Sequence, residues 1–126
     1  MSASDATWKR GPGINAETRN QLVKRARSSK TRDQEFRSDR PTDWRPTTVR
    51  NPEGDVAPFF TPTTAWEFIA ARLEAGEEVE VIDLRMPRGS KGYVMKIDLG
   101  LGLPKLYVKL QLVSKKVIGR SFHYSE

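Results

Sequence analysis

From Leu106 to Ser125 the chain reads LYVKLQLVSKKVIGRSFHYS, and this stretch constrains the fold more than any other. Leu106, Val108, Leu110 and Leu112 alternate with Tyr107, Lys109 and Gln111, the period-two pattern of a strand with one buried face. Ser114–Lys116 allows only a tight turn, so the second half must return antiparallel to the first. In that returning strand Ile118 and Phe122 are expected to look inward and Ser121 and His123 outward. Arg120 falls in the inward register unless Gly119 forms a bulge. A hairpin with one apolar face is unstable alone and needs a covering layer.

The segment before it supplies that layer. In TPTTAWEFIAARLEAGEEVEVIDL, Ala65, Phe68, Ile69 and Leu73 recur at helical spacing. Thr64 and Glu67 have capping-box spacing, and Gly76 is placed for a left-handed stop. VEVIDL reads as a strand, PRGSKG as a turn, GYVMKIDL as a second strand and GLGLP as a loop. Neither glycine-rich piece is a phosphate loop, because each lacks the glycine spacing and the following helix. The fold class expected is α+β, with one or two N-terminal helices packed on a four-stranded, mostly antiparallel sheet. The later connections are too short for crossover helices.

Residues 1–55 are poor in apolar side chains and rich in Arg, Ser, Thr, Pro and Asp, a composition that buries too little to offset ordering entropy. They read as a basic, largely flexible arm, with a short helix at 15–28 capped by Asn15 and striped by Ile14, Leu22, Val23 and Ala26. Residues 56–126 then form the folded domain. Trp8, Trp44, Phe59 and Phe60 are expected to pin the arm to it.

Composition excludes several function classes. The 126 residues hold no cysteine and one histidine, so disulfides and thiolate metal sites are ruled out and a zinc site would depend mainly on carboxylates. No metal and no organic cofactor are expected; Glu77, Glu78 and Glu80 read as a solvated connector. No run approaches the roughly 18 apolar residues of a membrane span, and the first residues lack a signal-peptide core. A cytoplasmic protein without a membrane partner is the expectation. Of the net +6, residues 85–126 carry nine Lys/Arg against two Asp/Glu, or +7, which favours a polyanionic partner.

The polar side of the hairpin carries a set of groups suited to metal-free RNA cleavage. That reaction uses the 2′-hydroxyl as nucleophile and requires a proton acceptor, a proton donor and cations for the developing charge. His123 is the candidate general acid or base, Tyr107 the complementary donor or orienting group, and Lys109 and Arg120 the charge stabilisers. Arg85, Arg88, Lys91, Lys96, Gln111 and Ser121 are candidate RNA contacts. Two other readings of the same residues remain. One is a non-catalytic RNA- or DNA-binding module using this basic face; the other is a phage- or secretion-associated protein-interaction domain.

The hairpin resembles the C-terminal hairpin of MqsR-type toxins, within the RelE/barnase-like group. The likeness lies in Leu106, Tyr107, Val108 and Lys109 followed by Ser121, Phe122 and His123. It implies a messenger-RNA endonuclease without metal, partnered by an antitoxin protein, with Tyr107 in the site. Either Lys91 or Lys96 would match the family's further lysine.

Overall fold

The computed structural model describes residues 13–49, 60–100 and 102–125; Trp8 and Phe59 lie outside them. The elements in chain order are α1 (Ala16–Ala26), β1 (Arg32–Asp33), β2 (Asp43–Trp44), a 3-10 turn (Pro46–Thr48), α2 (Pro62–Glu74), β3 (Glu80–Asp83), β4 (Lys91–Ile97), β5 (Leu106–Val113) and β6 (Lys116–Tyr124).

Both helices start and stop where local chemistry dictates. Asn15 caps α1 by accepting from the Thr18 N–H at 2.7 Å. The cap of α2 is Thr61 rather than Thr64: Pro62, with no N–H to satisfy, opens the helix and holds Thr61 extended. Thr61 and Thr64 close the capping box reciprocally, so Glu67 has no part in it. At the other end Gly76 takes φ 92°. Its N–H reaches Leu73 O and that of Glu77 reaches Arg72 O, the paired bonds of a Schellman stop.

The sheet has six strands, two more than expected. β3–β4–β5–β6 form the antiparallel meander, and β1 and β2 both pair parallel with β6 along its outer edge. These two short strands come from the segment whose composition suggested a flexible arm. Residues 13–49 do not stand apart: Leu22, Ala26 and Val49 lie in the same core cluster as Ile69, Leu73, Ile97, Leu106, Leu110 and Phe122. Leu22, Ala26 and Val49 are almost wholly buried, with Ile14, Val23 and Trp44 packed against the cluster.

Three arginines of this segment act as carbonyl clamps. Arg19 Nη1 donates to Leu73 O and Glu77 O at 3.0 and 2.9 Å, fastening α1 to the end of α2. Arg25 Nη1 reaches Val113 O at the hairpin turn, and Arg32 Nη1 reaches Ala26 O at the end of α1. Each supplies a cation to carbonyls left over at an element's end.

β6 carries the bulge. Lys109 pairs with Ser121 but Leu110 pairs with Gly119, leaving Arg120 as the extra residue. The insertion reverses side-chain parity, so Val117 and Phe122 share the core face. Ile118, expected beside Phe122, instead pairs with Gln111 on the other face, where it is buried outside the main cluster. Trp44 packs into the space opposite Gly119, stacked on Trp66 at 4.9 Å and tilted against Phe122 at 5.2 Å. Phe60 meets Phe68 and Phe122. Trp44 and Phe60 thus anchor their segments to the core. Both helices occupy one side of the sheet.

Candidate active site on the open sheet face

Cross-strand register sets the geometry of the face away from the helices. Lys96, Tyr107 and His123 form one row across β4, β5 and β6; Val94, Lys109 and Ser121 form the next, and Asp43 of β2 extends it. Side chains directly opposite in such rows are near neighbours.

His123 is held from three directions. Its ring stacks on Tyr107 with centroids 5.6 Å apart and planes at 28°. Nδ1 lies 2.7 Å from Tyr124 O. A carbonyl can only accept, so Nδ1 carries a hydrogen and Nε2 is the atom left for proton exchange. Nε2 lies 3.4 Å from Asp43 Oδ2, and the side chain is 20% exposed. Asp43 also accepts both arms of Arg45, at 2.7 and 3.1 Å. Asp43 and Arg45 continue into a groove of about 540 Å³ walled by Phe36, Trp44, Pro46 and Pro62.

The neighbouring groups are tuned by burial. Burial raises the Tyr107 pKa, with Glu80 adding to it, so this phenol holds its proton and could donate it in a hydrogen bond. Burial lowers the Lys109 pKa, and Arg120 lowers it further, while Asp43 opposes both.

The other expected residues are distributed unevenly. Lys96 belongs to the His123 row. Lys91 pairs with Asp83 at the far end of β4, on the face that also carries Tyr93, and its Nζ is 2.6 Å from Asp83 Oδ1. That hydrogen bond, then the carboxylate's charge, raises its pKa. Lys96 lies five residue steps along the strand from Lys91, about 16 Å, so the two lysines are not interchangeable. Arg85 and Arg88 lie on the exposed turn before Lys91. Arg120 reaches the open face through the bulge but is 5% exposed. Its Nε donates to Pro41 O and its Nη1 to Gln111 Oε1, each at 2.8 Å. Gln111 and Ser121 are buried, so the first serves Arg120 and neither offers a surface contact.

Asp43 and Arg45 are the site residues that sequence reasoning missed. Their only local signal is Trp44, whose expected anchoring would carry Asp43 with it. Among the described residues no three His, Cys, Asp or Glu side chains are grouped to hold a metal ion, and no helix is long and apolar enough to cross a membrane. Comparison with family models, curated proteins and solved structures finds no match.

Proposed function

We propose that the protein is a metal-independent endoribonuclease of the RelE-like kind, acting in the cytoplasm as the toxin of a toxin–antitoxin pair. The observation that supports this reading best is the Asp43–His123–Tyr107 cluster. It combines a carboxylate, an imidazole with only Nε2 free for proton exchange, and a phenol that keeps its proton, all beside Lys96 and Lys109. In this reading Asp43 takes the proton of the attacking 2′-hydroxyl. The protonated His123 gives its Nε2 proton to the departing 5′-oxygen, leaving a 2′,3′-cyclic phosphate. Tyr107 donates to a nonbridging oxygen, and Lys96 and Lys109 offset the charge that develops on the phosphorane. The toxin role and the antitoxin partner rest on the hairpin's resemblance.

The test is incubation with a mixed transcript in EDTA, beside His123→Ala and Asp43→Asn, with analysis of fragment ends. Cleavage by the parent should yield cyclic phosphates, and each variant should lose about 100-fold or more in rate. Unchanged cleavage by His123→Ala would sink the assignment. RNA bound in a salt-sensitive manner but left intact would favour the non-catalytic module.

A further inference from the structure

Between β1 and β2 the chain leaves the sheet edge at Gln34 and returns at Thr42, beside the bulge of β6. Arg37 and Arg40 close this excursion with reciprocal backbone hydrogen bonds of 3.3 and 3.0 Å. The Arg40 side chain is only 17% exposed, and its nearest carboxylate contact, Nη2 to Asp33 Oδ2, is 3.7 Å, beyond hydrogen-bond reach. Its Nε is buried and meets no acceptor among the described residues. A buried guanidinium N–H without an acceptor is uncommon and calls for a physical reason.

The surroundings supply one. Pro41, the next residue, gives its carbonyl to Arg120 Nε, which sets the Arg120 guanidinium against the backbone adjoining Arg40. Burial lowers the Arg120 pKa and the Arg40 charge lowers it further. Lys109, opposite Ser121 in the adjoining row, feels Arg120 in the same way. The nearby Asp43 is shared with Arg45 and His123. Three cations thus converge while Arg120 spends two donors on neutral acceptors, so the cluster carries more positive charge than its own carboxylates answer.

We propose that Arg40, Arg120 and Lys109 form an oxyanion site for a phosphate group, adjoining the His123 cluster and, on the ribonuclease reading, holding a backbone phosphate next to the cleaved bond. Arg40 supplies the Nε–H that lacks an acceptor, Lys109 an ammonium shared with the cleaved phosphate, and Arg120 a fixed charge. A tetrahedral phosphoryl group matches this set because it presents several acceptor oxygens to donors of different direction.

The experiment follows the side-chain Nε–H resonances of arginine by NMR in the full chain during titration with inorganic phosphate. Arg40 should shift saturably, while Arg72, whose Nε donates to Glu77, should not. Arg40→Gln should weaken phosphate affinity about tenfold or more, and Arg40→Lys should restore part of it. A 2′-deoxy oligonucleotide then separates the sources: competition with phosphate assigns the site to nucleic-acid backbone, and lack of competition to a free anion. No saturable shift at Arg40 in the unsubstituted protein overturns the proposal, even if RNA is cleaved. A phosphate response at Arg40 in a protein that cleaves no RNA keeps the site and removes the ribonuclease reading.

Discussion

Gly119 has no side chain because Trp44 occupies the space where one would be. A Cβ there would lie 2.6 Å from Trp44 Cη2 and 2.7 Å from Cε3, so the indole would have to leave its contacts with Trp66 and Phe122. Gly119→Ala should therefore destabilise the fold by about 1–3 kcal/mol, measured by denaturant unfolding. The two tuned groups of the site give opposite pH signatures. Lys109 has a folded pKa below the ordinary 10.5, so between the two values the unfolded chain binds more protons and stability rises with pH. Tyr107 has a folded pKa above the ordinary 10.0, so the folded chain keeps a proton that the unfolded one loses, and stability falls as pH rises past that value. Relative to the parent, Lys109→Met should lack the rise below 10.5 and Tyr107→Phe should lack the fall above 10.0; unfolding curves taken across alkaline pH would check both.

What the sequence made legible at the level of elements follows the range of the interactions involved. The β3–β6 meander and α2 were readable because alternation, short turns and a glycine stop act between neighbours in the chain. β1 and β2 were not, since each is two residues long and its partner is β6, so no local period marks it. Parity in β6 was lost for the same reason: Gly119 suggested a bulge, but its position fixes whether Ile118 or Val117 faces the helices, and only pairing with β5 settles that. The face shared by Lys96, Tyr107, Lys109 and His123 was legible from alternation alone. Asp43, contributed by a parallel neighbour, was out of reach. The basic N-terminal segment read as a flexible arm, yet several of its arginines are engaged with carbonyls of the folded domain. Arg19→Leu, which leaves Leu73 O and Glu77 O without their cation, should cost about 1–2 kcal/mol and loosen α1 first. Hydrogen exchange at α1 amides, faster than at β5, would show it.

For the molecule as a whole, helices on one side of the sheet leave Lys96 exposed and Tyr107, Lys109 and His123 partly exposed on the other, where a ligand could meet them. If that ligand is single-stranded RNA, affinity should fall steeply with salt, and Lys96→Gln should reduce the log–log slope by about 0.7. An unchanged slope would mean that Lys96 touches no phosphate. The placement of β1 and β2 has a consequence in time. Arg32 and Asp43 leave the ribosome early, but the residues they pair with, Val117 and Ser121, are made long after them. While the chain is being synthesised, Trp44 has no Phe122 to lean on and Asp43 has no histidine beside it. The Asp43–His123 pair therefore forms only once β6 has been made, and on the ribonuclease reading a nascent copy would be inert toward the message from which it is being read.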